Sequence, residues 1–246
     1  MDVSEVEKLL RAPALPPTEL ARQAGVSRNT LWTLRQDPSH ARLATLRELA
    51  LAEGFDLSIG VEPASDPDAS AAVRFILGDI DDSLHVSPDV REWCDRLKRW
   101  VPSGDPLQLV AAAAVVAAPQ NRHGAVFIKG RNDTERLTSA GLASGQPWAL
   151  SGAAGLEYLD VHEPGLPTVA WAQDPTRFAE LLGNTHERTR VAAAASVIIA
   201  PLHEQVITGA TDVDGVILVT PVQLVIDCIG VGGQLADAAT RVAKEW

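Results

Sequence analysis

Residues 18–34 read TELARQAGVSRNTLWTL, the pattern of a helix, a glycine turn and a second helix. Thr18 is placed to cap the first helix, with Glu19 in its first turn, where a carboxylate suits the positive end of the helix dipole. Gly25 stops that helix, Val26 follows as a buried turn residue, and Ser27 caps the second helix, which carries Leu31 and Leu34 three apart on one inward face. Ala21, four residues before Gly25, is small where two steeply crossing helices approach closely, which suits a helix-turn-helix better than an ordinary helical hairpin. The side chains left outward, Arg28, Asn29, Thr30, Trp32 and Thr33, mostly carry hydrogen-bonding groups near the second helix's N-terminus, where base edges are usually met.

The spacing of Ala21, Gly25, Leu31 and Leu34 resembles the Cro/CI phage-repressor (Xre-like) helix-turn-helix family. Downstream, LATLRELALAEGFDLSI is similar to that family's final packing helix, of the form tL-x-x-L-A-x-A-x-G. The resemblance implies an all-α head that binds double-stranded DNA, with base-reading positions on Ser27, Arg28, Asn29, Trp32 and Thr33. Trp32 is large for such a position and is expected either to pack at the domain surface or to lie against thymine methyls. Thr30 and Arg35 complete the expected DNA-binding set on the helix, and Arg42 and Arg47, beyond it, are expected at phosphates.

Charge supports this division of labour. The 246-residue chain carries a formal net charge of −11, which argues against general attraction to nucleic acid. Residues 18–47 nevertheless hold five arginines, Arg22, Arg28, Arg35, Arg42 and Arg47, against Glu19 and Asp37. From residue 61 onward the balance reverses to 14 basic and 24 acidic residues, so phosphate contacts belong to the N-terminal part. Cys94 and Cys228 fit no metal-ligand spacing and read as reduced thiols of a cytosolic, cytoplasmic protein. The opening MDVSEVEKLL is acidic and amphipathic, unlike a signal peptide. The apolar runs Leu107 to Ala118 and Val191 to Leu202 are too short and alanine-rich to span a bilayer, so no membrane partner is expected.

Val3 to Arg11, with Val3, Val6, Leu9 and Leu10 at helical spacing, predicts a first helix, and Leu43 to Glu53 a last one before Gly54. FDLSIGVEP is expected to add a short extended segment. EPASDPDASAA from Glu62, rich in Pro, Asp, Ser and Ala, reads as an inter-domain connection. Pro88 to Trp100 and Pro106 to Ala118 read as helices with proline at the first position. AVFIK (125–129), TVAWA (168–172), SVIIA (196–200) and VILVT (216–220) read as strands, GRNDTER as a polar loop, and Trp148 to Leu159 as a small-residue helix. DPTRFAELLG is expected to be helical and Asp214-Gly215 to turn a hairpin. The fold class is therefore α+β: an all-α helix-turn-helix domain over 1–60, a connecting segment over 61–87, and a mixed α/β domain over 88–246 for regulation, partner binding or dimerisation.

At the C-terminal end, Thr220 caps and Pro221 opens a helix, Gly230 to Gly233 break it, and an alanine-rich helix follows. Pro221, Gln223, Leu224 and Asp227 match the pattern v-s/d-P-v-Q-L-y-l-D-L, and this region resembles the C-terminal part of AbiEi-type antitoxins of the type IV toxin-antitoxin class. WALSGAAGLEYLDV resembles that family's l-s-G-x-x-A-L-x-x-x-G stretch, with Gly155 where alanine is commoner, so the similarity covers residues 145–246. The family's winged-helix head is not evident in this chain.

Catalytic chemistry is sparse. Asp212 and Asp214 in TDVDG have the D-x-D spacing of magnesium-binding nucleotidyltransferases, but no glycine-serine phosphate loop precedes them, so a hairpin turn is the expectation. The glycines of IGVGG follow a helix and make no dinucleotide fingerprint, and Ser151-Gly152 lacks the frame of a nucleophile elbow. His162, His186 and His203 have no ligand-spaced partner and are expected at the surface or at caps. No catalytic residue, metal or cofactor is expected. The sequence thus reads as a DNA-binding transcriptional repressor, in its sharpest form an antitoxin-like autorepressor, acting as a homodimer on an inverted-repeat operator and holding a toxin or other protein through its second domain. The alternatives are a DNA-targeted, nucleotidyltransferase-like enzyme and a one-component regulator whose second domain senses a small molecule.

Overall fold

Among the described residues, five helices open with the same device, a capping Asp, Ser or Thr followed by proline: Asp66-Pro67, Ser87-Pro88, Asp105-Pro106, Asp174-Pro175 and Thr220-Pro221. In each the capping side chain accepts a backbone N–H of the first turn, while proline, with no N–H to satisfy and φ already helical, takes the first position. The computed structural model describes residues 10–38, 41–80 and 86–244, which fall into two compact units, Met1–Glu62 and Pro63–Trp246.

The first unit is all-α. Helices α1 (Pro17–Gln23), α2 (Arg28–Gln36) and α3 (Leu43–Ala52) surround Leu20, Ala21, Ala24, Leu31, Leu34, Leu46 and Leu49, together with Leu10. Of the helix expected over Val3 to Arg11, only Leu10 and Arg11 are among the described residues, and both are helical. Thr18 does not cap α1: the helix starts one residue earlier, at Pro17, and Pro16 in the cap position makes no side-chain hydrogen bond. The preceding segment is instead tied down by Glu53, whose carboxylate accepts the N–H of Ala14 at 2.7 Å and of Leu15 at 3.1 Å. FDLSIGVEP joins no strand.

The second unit is a three-layer α/β/α arrangement. Its seven-stranded mixed sheet comprises β1 (Val126–Gly130), β2 (Trp148–Gly152), β3 (Thr168–Ala172), β4 (His186–Thr189), β5 (Val197–Pro201), β6 (Thr211–Val213) and β7 (Val216–Leu218), in the order β4-β1-β5-β3-β2-β7-β6. The pairs β3–β5 and β2–β7 are parallel and the others antiparallel. Side chains alternate across the sheet. Ala149, Val169, Trp171, Ile198 and Ala200 face α4 (Pro67–Ile76), α5 (Pro88–Trp100), α6 (Pro106–Ala117) and the C-terminal pair α11 (Pro221–Val231) and α12 (Gly233–Ala243). Leu150, Ala170, Val197 and Ile199 face α7 (Thr134–Ser144) and α9 (Pro175–Leu181). Short helices α8 (Ala153–Glu157) and α10 (Glu204–Ile207) follow β2 and β5. The result is the mixed α+β class, and among the described residues no helix is long and apolar enough to cross a membrane.

Three further sequence expectations fail in the second unit. Trp148 to Leu159 is not one helix: Trp148–Gly152 is strand β2, buried on both faces, and α8 begins only at Ala153. Residues 67–76, assigned to the connecting segment, form α4, whose Ala69 to Arg74 are buried, because Asp66-Pro67 is a helix start and the small residues allow close packing. His186 is buried, its Nδ1 2.9 Å from the Thr185 hydroxyl, and burial lowers its pKa.

Two polar networks knit the second unit. Arg74, wholly buried, donates to the Asp79 carboxylate at 2.7 Å and to the carbonyls of Gln205 and Thr208, while the Thr220 hydroxyl donates to Asp79 at 2.6 Å. Asp227, also wholly buried, accepts from Trp171 Nε1 and Gln223 Nε2, each at 2.8 Å. The nearby Ser151 hydroxyl favours the charged form of Asp227 but forms no hydrogen bond of standard geometry. Burial outweighs these partners and pushes the Asp227 carboxyl from 3.8 up to about 6. The native state therefore holds this proton more tightly than the unfolded chain, and the linked stability, present in full below pH 4, is lost as pH rises through 6. That loss is about 3 kcal/mol. Urea unfolding at intervals from pH 4 to pH 7 should show wild type weakening relative to Asp227→Asn across this window; parallel curves would refute it.

Candidate nucleic-acid interface

Helix α2 is set by local chemistry at its start and by burial on one face. Ser27 Oγ accepts the Thr30 N–H at 2.9 Å, capping the helix, and Gly25 before it takes the left-handed φ of +64° that the sharp turn from α1 requires. Leu31 and Leu34 are buried against the other two helices, which turns residues 28, 29, 32 and 33 outward. The capping serine, the turn glycine, the buried Ala21 and the two inward leucines thus stand where the sequence places them; Val26 is only half-buried.

The outward side chains are not equivalent. The Ser27 hydroxyl is engaged twice, as the cap and 2.8 Å from the Thr30 hydroxyl, and Thr33 Oγ1 donates to the Asn29 carbonyl at 3.0 Å. Arg28 and Asn29 are exposed and make no side-chain hydrogen bond or ion pair among the described residues. Trp32 is 62% exposed, so it does not pack into its own domain. Arg35 turns partly inward, and its Nε and Nη2 are buried with no hydrogen-bond partner. Arg42 stands at the N-cap of α3 and is exposed; Arg47 is exposed and lies 3.9 Å from Asp56, a loose pair in water. Arg22 is held by Glu19 one turn earlier, which keeps the Glu19 carboxyl at about 2. The described surface therefore offers Arg28, Asn29 and Trp32 on α2, with Arg42 and Arg47 as flanking cations.

No family model, curated protein or solved structure matches the chain.

In the second unit the acidic pair has a different use: Asp212 Oδ1 accepts the Gly215 N–H at 2.7 Å, and Asp214 and Gly215, at φ of 53° and 86°, make the tight turn between β6 and β7. His203 caps α10 through Nδ1. Cys94 and Cys228 are buried free thiols whose pKa values burial raises. Sequence reading did not find a cleft of about 340 Å³ lined by Asn132, Thr134, Glu157, His162, Glu163 and Thr168. Its residues come from separate segments with no fixed spacing, so no motif announces it.

Proposed function

We propose that the chain is a sequence-specific DNA-binding transcriptional regulator whose first unit reads an operator through α2. What supports this most is one arrangement: a serine-capped helix held against two others by Leu31 and Leu34, presenting Arg28, Asn29 and Trp32 with no other use for their polar and aromatic groups. Arginine pairs bidentately with guanine and asparagine with adenine, and an exposed indole suits a thymine methyl. The cationic helix region against the acidic remainder gives the same polarity to the binding. The sharpest form of the proposal is an antitoxin-like autorepressor in the cytosol, its second unit holding a protein partner. Asp212 serves a turn, so we propose no nucleotidyl transfer.

One reading helix covers only a few base pairs, so specificity calls for two of them on half-sites about one helical turn apart. Selection of the full chain against a pool of random duplexes should converge on an inverted repeat with half-sites about 10 base pairs apart, bound by a dimeric mass in light scattering. A pool that fails to converge sinks the proposal; a single half-site bound by a monomer sinks the dimer.

A further inference from the structure

Beyond α3 the first unit ends in the stretch FDLSIGV (55–61), which forms no helix, turn or strand. No residue of it, Gly60 included, takes a positive φ. Its start is fixed: the Phe55 N–H donates to the Ala50 carbonyl at 2.9 Å, and the Leu57 N–H to the Asp56 carboxylate at 2.9 Å. From Ser58 to Val61 no backbone N–H or carbonyl makes a hydrogen bond among the described residues. Apolar residues alternate along the stretch, Phe55, Leu57, Ile59 and Val61, and in extended backbone they share one side. Leu57 is half-buried against the helical core of its unit, while Phe55, Ile59 and Val61 are 62%, 53% and 96% exposed. A Cβ built at Gly60 would meet nothing within 4 Å. An extended segment with free backbone groups is a template for strand pairing, and the residues that keep such edges single, lysine and proline, are missing between 55 and 61.

The stretch is complementary to itself in one register. In an antiparallel pair, residues directly opposite each other lie on the same side of the ladder and interact. With Ser58 opposite Ser58 of a second copy, Phe55 meets Val61 and Leu57 meets Ile59, so all four apolar residues pair with one another. Asp56 then falls against Gly60, away from any other carboxylate. Placing Ile59 opposite itself would set Asp56 against Glu62 and Phe55 against Pro63, and placing Leu57 opposite itself would set Val61 against Glu53. A slip of one residue sets every apolar side chain against a polar residue or glycine. The Ser58-centred pairing is two-fold symmetric, as a contact between identical copies must be to close. It also lays Ile59 of each copy beside Leu57 of the other, at the edge of that copy's helical core.

We propose that residues 55–61 of two copies pair as an antiparallel two-stranded ribbon centred on Ser58, and that this ribbon joins the first units of a homodimer. The choice of a second copy as partner rests in part on the proposed reading of a two-fold operator. The test contains no DNA, so its failure leaves base reading by α2 to its own experiment. A ribbon this short is a small interface, so the full chain is expected to dimerise with a dissociation constant in the micromolar range, followed by sedimentation from about 1 to 300 μM. Ile59→Asp and Val61→Asp, both at exposed positions, should each weaken dimerisation about tenfold or more and leave the melting temperature of the monomer unchanged. Cysteine placement tests the register. Ser58→Cys sets two Cβ atoms about 5 Å apart across the ribbon, and a short bismaleimide should join the copies. Asp56→Cys or Gly60→Cys alone sets them about 13 Å apart and should not be joined, whereas the double variant places each new thiol opposite another and should be. The chain's own Cys94 and Cys228 are buried, and wild type gives their background. A monomer throughout the range, unchanged association in both aspartate variants, or equal cross-linking of Ser58→Cys and Asp56→Cys overturns the proposal.

Discussion

Replacing Arg74 with alanine is expected to lower the stability of the second unit by about 3–5 kcal/mol, the range seen when one member of a buried ion pair is removed and the other is left uncompensated. Three segments depend on this guanidinium. It is fully buried on α4, holds Asp79 just beyond that helix, and caps the carbonyls at the end of α10, while Asp79 also anchors Thr220 at the start of α11. Lysine at this position keeps the charge but has no planar fork, so Arg74→Lys should recover only part of the loss. Urea unfolding followed by circular dichroism measures both. A loss below about 1 kcal/mol for Arg74→Ala would mean that water replaces the guanidinium and that the network organises nothing.

Arg74 also shows where the sequence was hard to read. EPASDPDASAA has the composition of a linker, and nothing local reveals that its alanines are buried or that an arginine at the helix's end is satisfied by carbonyls more than 130 residues away. The signal that was present, Asp66-Pro67, is the same cap-and-proline pair that made Pro88–Trp100 and Pro106–Ala117 legible to within a residue. Strand β2 failed for another reason. Buried on both faces, WALSG has no alternation to mark it as a strand, and its small residues imitate a helix. Strand β4, HERT, carries charges at the sheet's edge and has no apolar run to betray it. Helix α2 was the most legible element, since capping and inward leucines are local properties that a short stretch of sequence contains. The cleft was the least, because its lining comes from separate segments that only the fold brings together.

The double variant Arg28→Ala/Asn29→Ala is expected to lose most of the preference for the selected operator over random duplex, since each side chain contributes about 1–3 kcal/mol of discrimination if it meets a base edge. Both are exposed, without a partner among the described residues and next to the helix N-terminus, whereas the hydroxyls of Ser27, Thr30 and Thr33 are occupied at the cap or within the helix. Single variants should therefore divide the loss between guanine and adenine positions of the operator. Arg47 is expected to behave differently: it stands on α3, beyond α2, and its loose pairing with Asp56 leaves it able to meet a phosphate. Arg47→Ala should weaken operator and random duplex alike and reduce the slope of log affinity against log salt by about 1. Affinities of wild type and the four variants for both duplexes across a salt series separate these outcomes. If the double variant keeps the wild-type ratio of operator to random affinity, α2 does not read bases, and any DNA binding that remains is attraction by charge alone.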